Sequence, residues 1–542
     1  MEASQASQAA FTRAGLVTTV ILGLVFLYLL FVSGQTGGLT DINAIEYAII
    51  ARNVARTGHY ATDVLKPLSL ARFPVVENHP DTIYPPLHPL WEALWLRLMG
   101  LSERAIPLAC GFWLFAGAGM ILWLGSRWFD LRVGAAGAAF YALNVTMMDL
   151  AAGGTEAPML GFELLLLLAA TVAYLESDRR AVLKAAGLGA VVGLLYLTQY
   201  CWGLAILPVL VVVAAAAPAP TRWVRLGVCA AAFFLVVSPW LLRNALLAGS
   251  PFFSLGSVEA LMHTRSYSGN TLYRTLTTTY PSWILFALTS PREVLTKLRV
   301  GLEAIYALPL AIPGPYLGAF FIASVLVCLG AKAFEWSRYV LYGAYLLAAL
   351  FLMVVRPEAR ILHGLAAPAT LMATALFVRL LDAATSRLRD MTRGRAVVLG
   401  LLLFGAVHST PTFVRLFSGR PEAAVRTDAA RIAAREVAAL VDAPVATDLP
   451  WPVSWHGDVK TLWLPVSRRE LDKVEEVIGP VKWLLLTPFV QARRQEEKAD
   501  EWARLWAAAR ERDIFSHGFV TYRRLPGDWI LFRRTTVDLT GR

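Results

Sequence analysis

The sequence predicts a polytopic α-helical membrane protein of about eleven spans, followed by a small C-terminal α/β soluble domain. Three observations point there. Of 542 residues, 57% are hydrophobic and only 16% charged, against about 25% charged in an average soluble domain, and the mean hydropathy is +0.54. Charge-free runs recur along the first three quarters of the chain, each long enough to cross a hydrocarbon core about 30 Å thick at about 1.5 Å per residue. Near Arg415 the composition changes, and apolar strand patterns begin to alternate with helical ones. A soluble globular enzyme is excluded, and the chain divides into a membrane part, 1–414, and a tail, 415–542.

Residues 16–32 form the first apolar run. It follows a single Arg13, exceeds a signal-peptide core in length and lacks a clear small-residue cleavage site, so it reads as an uncleaved first helix. Residues 86–99 are apolar, with Trp91 and Trp95 one turn apart, but such a segment covers only about 21 Å. They form a juxtamembrane helix within a long outer loop, 34–104. Further spans are read at 105–126, 133–148, 157–175, 185–199, 202–217, 226–242, 306–331, 339–355, 361–378 and 396–414.

This assignment puts the loops carrying Arg127 and Arg132, Arg179 to Lys184, Arg222 and Arg225, Lys332 and Arg338, and Arg379 to Arg395 on one side, as the positive-inside rule requires. The net charge of +11 then reflects topology and not nucleic-acid binding. The N-terminus is cytoplasmic and the tail extracytoplasmic, in a multi-pass protein of the plasma, or bacterial inner, membrane. Cys110, Cys201, Cys229 and Cys328 are scattered singly through apolar runs, which predicts neither a disulfide framework nor a cysteine metal site.

In the tail, strands are read at 444–447, 460–464, 482–486, 519–523 and 529–533, and helices at 428–440, 468–478 and 496–512. Trp502, Leu505, Trp506 and Ala509 make one apolar stripe on the last helix. The tail carries no Gly-rich phosphate loop and no His/Cys cluster with metal spacing.

The candidate chemistry lies at helix mouths on the outer face. Asp41 follows the first span, with Glu46 and Tyr47 on the helical stretch after it. Asp149 and Glu156 bracket the outer turn 149–156, Arg243-Asn244 closes another span, and Arg356, Glu358 and Arg360 occupy the turn 356–360.

Taken in order, these residues resemble the polyprenyl-phosphate-dependent glycosyltransferases of the GT-C superfamily, in particular the protein O-mannosyltransferase-like and aminoarabinose-transferase-like branch. The resemblance covers about residues 14–415. It rests on Asp41 with Tyr47-Ala48, Ala51-Arg52 and Gly58; on Tyr84-Pro85-Pro86-Leu87-His88-Pro89-Leu90-Trp91 ending in Met99-Gly100; and on Thr155-Glu156-Ala157-Pro158. Pro239-Trp240-Leu241-Leu242-Arg243-Asn244, Gly249-Ser250-Pro251-Phe252 and Arg360 complete it. The sequence departs from the family at Asp41, which lies six residues before Tyr47, and at Tyr84 and Gln199, where basic residues are common.

The resemblance implies a GT-C-like membrane fold and transfer of a sugar from a polyprenyl-phosphate donor to an acceptor hydroxyl of a glycolipid, glycan or protein, in contact with membrane lipids. Such a transfer needs a base for the acceptor proton and cations or hydrogen-bond donors for the charge growing on the departing phosphate. Asp41 is assigned as base, with helix capping as its structural alternative, and Glu156 as the second acid. Arg243 and Arg360 are assigned to the donor phosphate, where a planar fork suits bidentate binding, with Tyr84 joining through its hydroxyl. Glu46, Asp149, Glu163 and Asn244 are accessory candidates; an intramembrane carboxylate such as Glu163 calls for a partner.

No cofactor is assigned. His59, His79 and His263 lie in outer loops, with Glu77 and Asp81 flanking His79, but they lack a tight ligand spacing. The reaction is expected to be metal-independent or weakly metal-linked. The alternative from another class, a lipid or solute transporter with a soluble sensor tail, predicts internal repeats and midplane polar groups; here the polar groups gather at the outer boundary. A receptor-like binding protein would leave the membrane acids dispensable.

Overall fold

The computed structural model describes residues 19–34, 38–39, 41–418, 422–491, 501–516 and 518–535. The first apolar helix is α1, Thr19–Gly34; residues 16–18 of the expected span lie outside the described residues. Asp41 starts α2, Ile42–Thr57, by accepting from the amides of Asn43 and Ala44, and Gly58 ends it in the left-handed region, φ 78°. The rest of the first outer loop holds β1, Val64–Leu65, α3, Pro67–Arg72, and the juxtamembrane α4, Leu87–Met99.

The membrane helices follow as α5, Ala105–Trp128; α6, Leu131–Ala142; α7, Val145–Ala152; α8, Ala157–Glu176; α9, Ala181–Thr198; α10, Ile206–Ala216; and α11, Arg222–Ala248. The short apolar α12, Trp283–Thr289, and the amphipathic α13, Pro291–Ile305, precede α14, Leu308–Ala311; α15, Gly318–Leu326; α16, Lys332–Val354; α17, Ala359–Leu362; α18, Ala366–Ala384; and α19, Asp390–Phe417. Among the described residues seven helices are long and apolar enough to cross a membrane, or eight if the bent pair α6–α7 is one span; α1 and the segment Tyr200–Ala216 are shorter apolar helices. The chain is a multi-pass membrane protein.

Two expected spans are broken, each for a local reason. Within 133–148, Asn144 adopts an extended backbone and its side chain accepts from Thr146 and Met147 amides, which stops one helix and caps the next across a 51° bend. Within 306–331, Pro313-Gly314-Pro315 interrupts the helix; the prolines lack amide donors and Gly314 sits at φ 98°.

One apolar cluster holds the bundle together, joining Tyr28 of α1, Leu114 of α5, Tyr141 of α6, Leu164 of α8, Ala344 of α16 and Leu371 of α18. The stretch Ala359–Ala384 is central, 94% of its apolar window being buried, whereas α19 is peripheral at 22%. Basic loops meet at one end of the bundle: Arg132 pairs with Asp382 at 2.9 Å, Arg225 with Asp178 at 2.6 Å, and Arg379 donates to the Cys328 carbonyl at 2.6 Å.

At the other end the tail folds as α20, Glu422–Leu440; β2, Val445–Thr447; α21, Pro450–Gly457; β3, Thr461–Trp463; α22, Arg468–Ile478; β4, Trp483–Leu486; α23, Glu501–Glu511; β5, Phe515–Ser516; β6, Phe519–Leu525; and β7, Trp529–Arg534. Residues 496–500 of the expected last helix lie outside the described residues. The sheet order is β1-β3-β2-β4-β7-β6-β5, parallel from β1 to β4 and antiparallel beyond it. The parallel strands are buried throughout, which is why they read as short apolar runs.

The sheet is not confined to the tail. Val64 and Leu65 of the first outer loop pair in parallel with Thr461 and Leu462. Arg52 donates to the carbonyls of Ser454 and Trp455, at 3.1 and 2.9 Å, and Arg56 forks onto Asp458 at 2.7 and 2.8 Å. From the second outer loop, Arg274 donates to the Leu464 carbonyl at 2.6 Å. The outer loops and the tail therefore form one layer over the helix mouths.

Candidate active site

Under that layer lies a cavity of about 340 Å³, walled by Asn43 and Tyr47 of α2, Ile83 to Pro85 before α4, Gln199 and Tyr200 after α9, the 252–259 loop, and the turn carrying Arg356, Glu358 and Arg360. Each wall is positioned by a helix end. Asp41 and its cap set α2, and Asp81 Oδ1 accepts from the amides of Ile83 and Tyr84 at 3.0 and 2.9 Å, turning the chain into Pro85-Pro86.

Arg360 is the hub. Its Nη1 donates to both carboxylate oxygens of Glu156, 2.6 Å to Oε1, while Nη2 donates to Glu358 Oε2 at 2.7 Å. Its guanidinium stands 5.8 Å above the Tyr47 ring and also feels Asp41. Glu156 is fully buried at the start of α8 and lies 3.4 Å from Gln199 Nε2. Arg356 reaches Glu358 at 3.4 Å and lines both this cavity and a neighbouring groove with His263, Arg265 and Arg292. Glu259 completes the charged wall, accepting from the Tyr273 hydroxyl at 3.0 Å. Burial raises its carboxyl above the usual carboxylate range, opposed by Arg356 and reinforced by Glu358.

Of the predicted set, Tyr84 and Arg360 line the cavity and Glu156 is bound to Arg360, whereas Asp41 starts the helix that carries Asn43 and Tyr47 of the wall and is not itself a lining residue. Both capping bonds of Asp41 use Oδ1, at 2.9 Å each, so Oδ2 stands outside the cap. The Tyr84 hydroxyl donates to Asn43 Oδ1 at 2.9 Å on the cavity wall. Arg243 is placed elsewhere: it donates to the carbonyls of Asp81 and Tyr60, at 2.7 and 3.3 Å, and stacks on Trp240 at 4.5 Å. Asn244 donates to the Phe253 carbonyl at 3.2 Å. These two hold the outer loops and do not line the cavity.

Glu46 is spent on a tie, accepting from Thr62 at 2.6 Å, Lys66 at 3.1 Å and the Trp451 indole. Asp149 faces Arg415 at 3.7 Å, and Glu163 accepts from Thr198 at 2.8 Å inside α8. The outer-loop histidines do not converge on one another. His79 is bonded by Ser69 at 2.6 Å and the Val75 carbonyl at 2.7 Å, burial holding its pKa down at about 4, and Glu77 pairs with Lys460.

Sequence reasoning left Arg356, Glu358, Asn43 and Gln199 without roles, and did not single out Glu259. Their signal was present for Arg356 and Glu358, which share the turn with Arg360. For Glu259 it was weak, an acid in a loop with no periodic neighbour.

No family model matches the chain, and no curated protein matches it in sequence. Among solved structures it is similar to ArnT from Cupriavidus metallidurans bound to undecaprenyl phosphate, at 13% identity and a TM-score of 0.62, over 97% of this chain and 98% of that one. The same protein in the apo state gives 14% and 0.61, over 96% and 98%. The apo oligosaccharyltransferase of Archaeoglobus fulgidus gives 12% and 0.51, over 85% of this chain and 69% of that one. The chain has the fold of these proteins.

Proposed function

We propose that this protein is an integral-membrane glycosyltransferase that moves a sugar from a polyprenyl-phosphate-linked donor to an acceptor hydroxyl on the extracytoplasmic face. The observation that carries the reading is the meeting of Arg356, Arg360, Glu358 and Glu259 on one cavity at the helix mouths, with the buried Glu156 bound to Arg360. The fold supports it, and the undecaprenyl phosphate bound by ArnT is the donor's lipid phosphate without its sugar.

The acceptor oxygen attacks the anomeric carbon as the bond from that carbon to the phosphate oxygen breaks. The electron pair leaves with the phosphate, and Asp41 Oδ2 takes the acceptor proton. Arg356 and Arg360 meet the charge growing on the phosphate. Glu156 and Glu358 fix the Arg360 fork in advance, so that little reorganisation is needed as the bond breaks. Glu156 thus acts through Arg360, and Tyr84 borders the donor in the same cavity. The placement outside the cytoplasm is favoured by the basic loops, which gather at the end of the bundle remote from the cavity.

The test is a transfer assay with purified protein and a polyprenyl-phosphate sugar, reading release of polyprenyl phosphate. Cleavage that requires Arg360 is the expected result. A donor that is bound and carried across vesicles without cleavage would establish a transporter instead.

A further inference from the structure

We propose that His88, Glu92 and Cys110 form a buried binding site for one zinc-like divalent cation between α4 and α5. The site is separate from the donor cavity and rests on none of the glycosyltransferase reading.

His88 and Glu92 stand one turn apart on the same face of α4, and Cys110 projects from the second turn of α5. One ligand atom from each lies within 4.8 Å of the other two. A tetrahedral zinc ion with nitrogen and oxygen at about 2.0–2.1 Å and sulfur at about 2.3 Å spaces its ligand atoms about 3.3–3.8 Å apart. His88 Nε2 and Glu92 Oε1 are already 3.2 Å apart, close to that spacing, and the 4.8 Å limit on the other pairs leaves about 1 Å to be closed by side-chain rotation.

The polar inventory of the cluster is unfinished without a cation. The three side chains are 1%, 0% and 1% exposed, yet Glu92 Oε2 and His88 Nδ1 have no hydrogen-bond partner, and Glu92 Oε1 meets only His88 Nε2 at 3.2 Å. A buried carboxylate so placed is costly. An imidazolium alone would engage one oxygen by charge and leave the thiol unused. Imidazole, carboxylate and thiolate are the donor types zinc takes in proteins.

The sequence predicts no cysteine metal site because Cys110 has no ligand-spaced neighbour; helix packing supplies the neighbours. The location suggests what the ion would do. The His88 ring is 5.2 Å from the Tyr47 ring, which lies under Arg360. An ion locking α4 to α5 would fix the wall on which the Glu156–Arg360 pair rests.

The experiment uses the full chain in detergent, stripped by chelator and titrated with Co²⁺. Uptake of one equivalent with a thiolate-to-cobalt charge-transfer band is expected, and Cys110→Ser should remove that band although Cys201, Cys229 and Cys328 remain. Glu92→Gln should weaken cobalt binding by at least the roughly 10–100-fold that an outer-shell change costs. Wild-type protein that takes up no stoichiometric cobalt, or a band that survives in monodisperse Cys110→Ser, would overturn the proposal. Zinc-independent thermal stability together with a large loss in Glu92→Gln would identify a proton-sharing His88–Glu92 pair instead, and overturn it equally.

Discussion

Glu156 and Arg360 are 204 residues apart in sequence and share one nitrogen between two carboxylate oxygens inside the fold. The pair links the N-terminus of α8 to the outer turn before α18, and Glu358 holds the second arm of the fork at 2.7 Å. A carboxylate so engaged is poorly placed to accept an acceptor proton. It is well placed to keep a guanidinium rigid in the site proposed to receive phosphate.

Glu156→Gln is therefore expected to lower both thermal stability and transfer rate. The stability loss should fall below the roughly 3–5 kcal/mol typical of breaking a buried pair, because Glu358 still binds Arg360. Combining it with Arg360→Gln should restore stability without restoring transfer. Unfolding midpoints and donor cleavage measured on the three variants check this, and normal turnover in Glu156→Gln alone would remove the positioning role.

Asp41→Asn should fold normally, because Asn caps helices as well as Asp, while transfer falls by about 10²–10⁴ as expected for a lost general base. Glu259→Gln is the matched control, since its carboxyl lines the cavity and is raised by burial. If Glu259→Gln loses the chemical step and Asp41→Asn keeps it, the base is Glu259.

Arg243, read from the sequence as a phosphate ligand beside Arg360, should behave differently from Arg356. Arg243→Ala removes donors to the Asp81 and Tyr60 carbonyls and should destabilise the outer layer with donor KM little changed in the folded fraction. Arg356→Ala, at the junction of the cavity and the basic groove, should raise donor KM at least tenfold with normal unfolding. The reverse pattern in donor titrations would return Arg243 to the site.

Asp81 supplies a pH test. Burial raises its carboxyl from the usual value to about 6, Lys66 opposing and Glu46 reinforcing the shift. The folded state then holds its proton more tightly than the unfolded chain, so this group makes stability fall as pH rises from about 4 to about 6. Asp81→Asn can still accept from Ile83 and Tyr84, and should lose that part of the decline. Melting curves of the two proteins that stay parallel across this range would contradict the assignment.

What was legible in the sequence follows from the range of the interactions. Periodicity is local, so α4, α5, α8 and the tail strands β2, β3, β4, β6 and β7 fall within a few residues of expectation. Asn144 and the Pro313-Gly314-Pro315 break act through side-chain capping and missing donors inside runs that hydropathy alone reads as continuous. The pairing of β1 with β3 spans nearly four hundred residues, and a two-residue strand has no periodicity to detect. The site shows the same division. Asp41, Glu156 and Arg360 are marked by position at helix mouths and Tyr84 by the Tyr84-Pro85-Pro86 motif, but that Arg360 takes Glu156 while Arg243 takes backbone carbonyls depends on how the helices meet.

The orientation of the whole molecule is open to a labelling experiment for which the native cysteines are already suited. Cys110, Cys201 and Cys229 are buried and Cys328 is exposed, in the turn between α15 and α16 whose carbonyl takes the Arg379 guanidinium. That turn belongs to the basic end of the bundle, so the positive-inside rule puts it in the cytoplasm. An impermeant maleimide added to intact cells or spheroplasts should leave wild-type protein unlabelled and react with Cys328 only once the membrane is opened. In a Cys328→Ser background, Glu476→Cys on the exposed side of α22 should react from outside at once, and Ser386→Cys, after α18, only after opening. Because α2, β1 and the second outer loop are all fastened to the tail, labelling at Glu476→Cys reports the face on which the cavity opens. Labelling of Cys328 from outside, with Glu476→Cys protected, would invert the topology and place the donor cavity on the cytoplasmic side.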